Sequence, residues 1–266
     1  MGASSAVLKH VKITAAGLTD VGIIRSGNED NFLMVPERGV FIVADGMGGH
    51  AAGEVASEMA VRIIARELGN PNGMSDAEAA DRMRRAIHES NGAIFDRTLT
   101  EHDKRGMGTT ATAMVVIGDH YLIGQVGDSR AYVLRDGAFI QLTKDHSYVQ
   151  EQVDAGYLSP EEARTHPYSN VITRCVGANG EVQPDLYSGA LRPSDLYMLA
   201  SDGLTGMIDD ADIKALLTSG QDPETLAREL VAEANRRGGL DNITVILIRV
   251  DEVTPASDTS DDHTLA

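Results

Sequence analysis

The sequence lacks the features that would place the chain outside a reducing compartment or in a membrane. Only one of its 266 residues, Cys175, is a cysteine, so no disulfide can form within the chain. No apolar run approaches the roughly 20 residues that a membrane span needs. The first 17 residues contain no apolar stretch of the kind that a secretory signal carries. We therefore expect a cytoplasmic protein with no membrane attachment.

Basic residues are also scarce. The chain has 23 lysines and arginines against 40 aspartates and glutamates, which gives a formal net charge of −17 and a sequence pI of about 4.7. The average field of such a chain repels nucleic acid phosphates and anionic lipid headgroups. We therefore expect it to bind neither nucleic acid nor a membrane surface as its main activity.

The composition is that of a globular protein. Hydrophobic residues make up 42% of the chain and charged residues 24%, enough apolar material for a full core. The length is compatible with one domain, and we assign it to residues 1–253. Residues 254–266 are small, polar and acidic, with too little apolar surface to offset the entropy cost of ordering. We expect this tail to be disordered.

Hydrophobic spacing and capping signals predict the first half of the fold. GVFIVAD, which starts at Gly39, predicts a strand, and apolar residues at helical spacing predict a helix over 54–68. Ser75 with Glu78 forms a capping box for a second helix that runs to about Thr100. The β-rich runs TATAMVVIG, YLIGQVG and AYVLRDGAFIQLT then follow at close spacing, which predicts an antiparallel meander.

The second half begins with a polar segment that leaves the sheet. Ser147 and the run Ser-Pro-Glu-Glu at 159–162 predict two short helices within 147–169. DLYMLASD then predicts a strand, and two helices are predicted near 210–218 and over 223–237. ITVILIRV predicts the last strand.

Acidic residues stand where predicted strands meet glycine-containing turns: Glu29, Asp30, Asp45, Asp202 and Asp241. A single Asp-Gly pair is a common turn and indicates only a loop. Several carboxylates at strand ends are more informative, because gathering them is costly without a cation between them. Oxygen ligands suit magnesium or manganese, and the sequence has no CxxC or HxxxH pair for zinc. The pattern predicts a hard-metal site.

Two segments fit the letters of a dinucleotide-binding fingerprint, GxGxxG/A. The first, residues 46–51, lies between a predicted strand and a helix, but the acidic residue about 20 positions on, Glu67, falls inside that helix. The second, residues 106–111, leads into a predicted strand instead of a helix. No GxxxxGK[ST] phosphate loop is present. These segments therefore do not predict a nucleotide site.

Eight segments, in order, resemble the motifs of one enzyme family. They are RSGNEDNF, VADGMGGHAAGEVAS, GMGTTATA, QVGDSRAYVLRDG, LTKDHSYVQEQVDAG, HPYSNVITRCVG, ASDGL and GGLDNITVILI. Together, from about Thr14 to Val250, they are similar to the PPM metal-dependent protein serine/threonine phosphatases (type 2C) in their bacterial form. The resemblance implies an α+β fold: a four-layer α/β/β/α sandwich of two central, mostly antiparallel sheets flanked by helices, with a small helical flap at about 147–169.

The resemblance also implies a site for two or three divalent cations, manganese or magnesium. By that resemblance Asp45 bridges two cations, Asp202 and Asp241 complete the first, the Gly46 carbonyl with Glu29 and Asp30 holds the second, and Asp128 binds a third. Part of the second set would act through water, and which of Glu29 and Asp30 ligates directly stays open.

The resemblance also concerns substrate binding, the surroundings of the ligands and the general acid. Arg25 matches the arginine that grips the substrate phosphate, and a planar guanidinium suits a phosphoryl group. Asn242 is either an orienting residue beside the ligands or a structural asparagine. Met47 stands where animal members have a histidine proposed as general acid. His50 could replace that acid, although a histidine at a helix start is more often structural, and a metal-bound water is the alternative.

The implied reaction is hydrolysis of phosphoserine and phosphothreonine by attack of a metal-bridging water or hydroxide, with no phosphoenzyme. The implied partners are phosphoprotein substrates and a cognate eukaryotic-type serine/threonine kinase, and we expect a monomer. One alternative is a pseudophosphatase that binds phosphoproteins without turnover, but the retained carboxylates argue against it. Another is a regulatory phosphatase acting on an anti-sigma-factor antagonist, which shares the chemistry.

Overall fold

The computed structural model describes residues 2–48 and 52–254. His50 and residues 255–266 of the predicted tail lie outside the described residues. In chain order the elements are β1 (Ser4–Val7), β2 (Val11–Asp20), β3 (Asp30–Val35), β4 (Val40–Met47), α1 (Ala52–Leu68), α2 (Asp76–Thr100), β5 (Gly108–Thr109), β6 (Ala111–Ile117), β7 (His120–Val126), β8 (Arg130–Arg135), β9 (Ala138–Gln141), α3 (Tyr148–Asp154), α4 (Pro160–Arg164), β10 (Asp185–Ala190), β11 (Leu196–Ala200), α5 (Asp202–Thr205), α6 (Asp210–Leu217), α7 (Pro223–Arg236) and β12 (Ile243–Val253).

The strands form two antiparallel sheets. The first sheet has the order β1-β2-β12-β11-β8-β9, and the second has the order β10-β7-β6-β4-β3, with β5 paired to β4. In the first sheet the long strand β12 pairs with both β2 and β11. Because β12 begins just after Asp241, this pairing brings that aspartate to the end of β11, where Asp202 follows.

Three apolar clusters show how the layers pack. The middle cluster lies between the two sheets and includes Phe41 and Val43 of β4 with Ile246 and Ile248 of β12. A second cluster joins the outer face of the second sheet to α1 and α2, and a third joins the outer face of the first sheet to α5, α6 and α7. Each sheet therefore buries both faces. The predicted α+β fold, a four-layer α/β/β/α sandwich, is confirmed.

The predicted meander is wrong. The β-rich runs do form antiparallel pairs, β6 with β7 and β8 with β9, but the two pairs belong to different sheets. The chain crosses from one sheet to the other through Gly127, Asp128 and Ser129. Gly127 has φ +100°, in the region that favours glycine, and a Cβ there would lie within 3.0 Å of the Thr110 side chain. This crossing places Asp128 at the junction of the sheets.

The helix signals in the sequence are confirmed. Ser75 and Glu78 form a reciprocal capping box at the start of α2, and Asp222 caps α7. In the predicted flap, Ser147 caps α3 and Ser159 caps α4. Across residues 2–48 and 52–254, we find no helix with the length and apolar character needed to span a membrane.

Candidate metal centre

Asp45 is held by backbone contacts near the end of β4. Its N–H donates to Thr110 Oγ1 (2.9 Å), and its carbonyl accepts from the Thr110 N–H (2.8 Å) and from Thr109 Oγ1 (2.8 Å). Thr110 Oγ1 also lies 2.7 Å from Ser129 Oγ, which follows Asp128 directly. On the other side of β4, Asp45 is the cross-strand partner of Asp30. The pairing brings two of the predicted ligands together.

Ser201 links the two sheets at this point. Its hydroxyl donates to Asp30 Oδ2 (2.7 Å) and accepts from the Thr244 N–H (3.0 Å), and its own N–H donates to the Thr244 carbonyl (3.0 Å). Asp202, the next residue, begins α5. Ser201 thus joins Asp30 of the second sheet to the end of β11 in the first sheet, directly before Asp202. The sequence reasoning gave Ser201 no role, although its place in ASDGL was the available signal.

Close backbone approach at Gly46 positions Glu29. The Gly46 N–H donates to the Glu29 carbonyl (3.1 Å), and a Cβ at Gly46 would overlap the carbonyls of Glu29 and Gly53. A Cβ at Gly53 would lie 2.8 Å from the Glu29 carboxyl carbon. The Glu29 carboxylate therefore rests against the first turn of α1, where backbone N–H groups favour negative charge. Only glycine fits at both positions.

Asn242 fixes the loop that carries Arg25 and Glu29. Its side-chain oxygen accepts from the Glu29 N–H (2.8 Å), and its Nδ2 donates to the carbonyls of Val21 and Gly27 (2.9 Å each). Asn242 is 4% exposed, so these contacts satisfy its amide in the interior. The side chain reaches no carboxylate, which makes Asn242 a residue that positions the loop.

Arg25 lies against Asp241. Its Nη2 donates to Asp241 Oδ2 (2.7 Å), while Asp241 Oδ1 accepts from the Asn242 N–H (2.8 Å). Burial alone would lower the pKa of Arg25, but Asp241, Glu29 and Asp45 raise it. The two side chains of the pair are 49% and 35% exposed. Such an ion pair contributes about 0–1 kcal/mol, so it opposes only weakly the turning of Arg25 toward a phosphate.

The carboxylates form one electrostatic cluster. Burial raises the pKa of Asp45 well above its usual range, and the carboxylates of three neighbours raise it further. Those neighbours are Asp30, Asp202 and Asp128. Burial raises the pKa of Asp30 to about 7 and that of Asp128 to about 8, and it also raises the pKa of Asp202, with Asp241 adding to the effect. The chain thus holds these acids where their charged forms are costly.

His146 supports the loop that carries Asp128. Its Nδ1 accepts from the Gly127 N–H (3.0 Å), and its backbone N–H donates to the Gly127 carbonyl (2.9 Å). The imidazole is buried, and its Nε2 lies 3.1 Å from Asp185 Oδ2 and 2.9 Å from Arg174 Nη1. The contact from Gly127 requires an unprotonated Nδ1, so a neutral ring carries its proton on Nε2. Asp185 can accept that proton in a hydrogen bond, whereas Arg174, which has no acceptor atom, acts on this tautomer only through its charge. The sequence reasoning assigned this histidine no role.

This arrangement predicts a pH effect on stability. Burial lowers the pKa of His146 below its ordinary value, although Asp185 opposes the shift. Below pH 6.5 the unfolded chain binds a proton at this residue that the folded chain does not, so folding loses stability as the pH falls. We expect the melting temperature of wild type to fall more steeply between pH 7 and pH 5 than that of His146→Gln. Equal slopes in the two proteins would contradict the assignment.

The donor set fits a hard divalent cation. The candidates supply carboxylate oxygens and one backbone carbonyl, as magnesium and manganese prefer. Asp202 Oδ1 is buried, and no residue within 2–48 or 52–254 forms a hydrogen bond to it. In the part of the chain that the structure describes, no three acidic, histidine or cysteine side chains already form a cage for an ion.

The structure brings the predicted site residues together. Glu29, Asp30, Asp45, Gly46, Asp128, Asp202 and Asp241 lie at one junction of the two sheets with Arg25 and Asn242. His50, the predicted candidate for general acid, lies outside the described residues. Cys175 is half-buried, and burial raises its pKa, which disfavours the thiolate that a cysteine-dependent phosphatase would need.

Comparison with known proteins agrees with this geometry. The family profile described as "Protein phosphatase 2C" matches residues 25–233. The serine/threonine phosphatase stp of Listeria monocytogenes is 39% identical over 246 residues, which cover 91% of this chain and 98% of that protein.

Solved structures agree as well. The serine/threonine phosphatase PstP/Ppp of Mycobacterium tuberculosis superimposes with a TM-score of 0.84 at 37% identity, covering 90% of this chain and 99% of that one. The catalytic domain of PstP in complex with two manganese ions gives a TM-score of 0.81 at 36% identity, with 90% and 99% covered. The two-sheet sandwich, the buried carboxylates at its edge and these similarities agree: the chain belongs to the protein phosphatase 2C family.

Proposed function

We propose that this chain hydrolyses phosphoserine and phosphothreonine in proteins, using manganese or magnesium ions held by the carboxylate cluster. The observation that carries this proposal is the burial of mutually repelling carboxylates beside one arginine. The pKa is raised for four carboxylates: Asp30, Asp45, Asp128 and Asp202. Ionisation of these groups therefore costs free energy in the folded chain, and a bound cation would offset that cost. Such local cost is typical of functional sites.

We assign the ligands by their positions. Asp45 has Asp30 beside it across β3 and β4 and Asp202 facing it from α5, which supports the assignment that its carboxylate would be shared by two ions. Asp202 and Asp241 would complete one ion site. Asp30 and Glu29, with the Gly46 carbonyl, would complete the other, and Asp128 would hold a third. When bound, the cations would supply an activated water for attack on phosphorus and positive charge for the phosphoryl oxygens.

The chain's own residues bind and orient the substrate. Arg25 lies at the rim of the cluster with its guanidinium half exposed, where it can exchange Asp241 for two phosphoryl oxygens. Asn242 keeps the Arg25 loop fixed through Val21, Gly27 and Glu29. Holding the phosphoryl group in one orientation lowers the entropy cost of the reaction. Met47, in the position of the proposed acid of animal members, has no proton to donate.

Replacement of Arg25 tests its role. A hydrogen bond to a charged group contributes about 1.5–3 kcal/mol, which corresponds to about 10- to 100-fold in rate. We expect Arg25→Ala to lower kcat/KM for a phosphothreonine peptide by about 100-fold, and Arg25→Lys by about 10-fold, because lysine keeps the charge but not the bidentate geometry. Steady-state kinetics measure both. A loss of less than twofold in Arg25→Ala would contradict the assignment.

We further propose that the substrates are cytoplasmic proteins phosphorylated by a serine/threonine kinase, and that the enzyme acts as a monomer. The single cysteine and the acidic charge of −17 support a protein that works in a reducing compartment and repels its own copies. Identification of the phosphoproteins that accumulate in cells when the gene is deleted tests the proposed substrates. Purification of the protein from its own cells, with a measurement of its mass in solution, tests whether it is a monomer.

The test of the reaction is release of phosphate from a phosphothreonine peptide at neutral pH. We expect release with manganese, none with excess chelator, and almost none from Asp202→Asn with manganese. Binding of the phosphopeptide without release would favour the pseudophosphatase alternative. Release that persists in chelator or in Asp202→Asn would overturn the proposed metal site.

A further inference from the structure

Four large apolar side chains are exposed at one edge of the candidate metal centre. Ile23 is 64% exposed, Ile24 65%, Leu240 57% and Val21 37%. We call these four residues the apolar rim. Single exposed apolar residues are common on protein surfaces, whereas several that lie close together on two segments of the chain are a candidate surface for binding another molecule.

The backbone of the apolar rim is fixed. The N–H groups of Ile23 and Ile24 both donate to the Gly239 carbonyl, at 2.8 and 3.2 Å, and so hold the two segments together. The Val21 carbonyl accepts from Asn242 Nδ2 (2.9 Å). Gly239 has φ +49°, and a Cβ there would lie 2.8 Å from Ile23 Cγ1. Because these backbone groups are satisfied within the chain, the apolar side chains are what the rim presents to a partner.

The rim is continuous with the proposed phosphate site. Ile24 immediately precedes Arg25, and Leu240 immediately precedes Asp241, so both segments run directly into the centre. Arg25 and Asp241 are themselves joined at 2.7 Å. A phosphoryl group bound by Arg25 would therefore have the apolar rim beside it.

We propose that the apolar rim binds apolar side chains that flank the phosphorylated serine or threonine of a protein substrate. This inference rests on the proposed function and adds to it a preference for sequence. An extended peptide advances about 3.3 Å per residue. A side chain one or two positions from the phosphorylated residue is therefore within reach of the rim.

The chemistry favours this occupant. A phosphoprotein is negatively charged, and the formal charge of this chain is −17, so the two repel each other on average. Attraction of the phosphate by Arg25 and by bound cations has to overcome that repulsion. Burial of apolar surface is independent of charge and adds affinity without strengthening that repulsion. The rim offers no charged side chain of its own, so it distinguishes substrates by apolar contacts.

Two peptides and two variants test the proposal. Both peptides carry one phosphothreonine; one has leucine at both flanking positions and the other has serine there. The double variant Ile24→Ser/Leu240→Ser removes the centre of the rim. The control is Leu99→Ser, because Leu99 is an equally exposed (66%) apolar residue on α2 and not in the rim. All proteins are assayed with manganese, and kcat/KM is measured for each peptide.

We expect wild type to prefer the leucine peptide by about tenfold, since an apolar contact distinguishes substrates by about 10-fold or more. The ratio of kcat/KM for the leucine peptide to kcat/KM for the serine peptide falls to near one in the double variant and is unchanged in Leu99→Ser. The serine peptide reports whether the double variant is folded and active.

Equal use of the peptides by wild type, or an unchanged preference in the double variant, would overturn the role of the rim while leaving the phosphatase intact. No release from either peptide by wild type would instead refute the proposed function. Sedimentation of wild type gives a separate test. A dimer that Ile24→Ser/Leu240→Ser dissociates would show that the rim joins two copies, which would also overturn the proposal.

Discussion

Replacement of Asp45 by asparagine is expected to lower kcat/KM for a phosphothreonine peptide by about 1,000-fold, because charge stabilisation by bound metal is worth several kcal/mol and about 4 kcal/mol corresponds to about 1,000-fold in rate. Asp45 faces Asp30, Asp128 and Asp202 at once, so its loss disturbs more of the cluster than the loss of a carboxylate at the edge. Assays at saturating manganese measure the effect.

The fold itself does not need the Asp45 charge. Burial and neighbouring carboxylates raise the pKa of Asp45 and oppose its ionisation, so an amide of the same shape relieves repulsion. We expect the melting temperature of Asp45→Asn in chelator to equal or exceed that of wild type. Asp136→Asn is the matched control, because Asp136 is 86% exposed in a turn at φ 50°, where asparagine is tolerated. Retention of more than a tenth of wild-type activity by Asp45→Asn would contradict the central role of this carboxylate.

Replacement of Gly46 by alanine is expected to lower both the melting temperature and the activity, because Gly46 lies between Asp45 and the first turn of α1. The new Cβ would overlap the carbonyls of Glu29 and Gly53, and backbone atoms on both sides leave it no room. Overpacking costs about 1–3 kcal/mol, and backbone overlap falls at the upper end of this range. At about 2–4 °C per kcal/mol for a chain of this size, we expect the melting temperature to fall by about 6–12 °C.

A second glycine supplies the control. Gly92 lies inside α2, and a Cβ there would meet no atom of the other described residues within 4 Å beyond the backbone of its own helix. Alanine favours helices over glycine by about 0.5–1 kcal/mol, so Gly92→Ala raises the melting temperature slightly and keeps full activity. Calorimetry of both variants, with peptide assays, measures the contrast. A Gly46→Ala protein as stable as wild type would show that the approach of α1 to Glu29 is not tight.

The sequence signals that singled out the acidic residues are local. Asp45, Asp202 and Asp241 each stand beside a strand and a glycine, and the order of the eight motifs identified the family. Capping pairs such as Ser75 with Glu78 are equally local, and their helices began where predicted. Strand alternation and helix caps depend on residues only a few positions apart, so both can be recognised in a single sequence.

The contacts that join the sheets could not be predicted in this way. YLIGQVG and AYVLRDG are separated by only three residues, 128–130, a spacing that is compatible with a hairpin as much as with the observed crossing between sheets. The bonds from Ser201 to Asp30 and from Gly127 to His146 connect residues 171 and 19 positions apart. Such bonds depend on how the two sheets pack, and no spacing rule within the sequence encodes them.

The candidate metal centre consists of hydrogen-bonded residues that fix its backbone and of buried carboxylates that would bind the cation. Thr110, Ser201 and Asn242 fix the backbone through satisfied hydrogen bonds, while burial raises the pKa of Asp30 and Asp45 beside them. A backbone fixed in this way keeps the carboxylate ligands close to the geometry in which they would bind an ion. Because burial makes ionisation of these carboxylates costly, a bound cation would stabilise their charged forms.

Calorimetric titration of manganese into the full chain, freed of metal by chelator, tests most directly whether the carboxylate cluster is the metal site. We expect at least two ions bound per wild-type chain at neutral pH. Asp45→Asn should bind fewer ions or bind them at least tenfold more weakly, and Asp136→Asn should match wild type. Absence of binding to wild type, or undiminished binding to Asp45→Asn, would contradict the assignment of the metal site to this cluster.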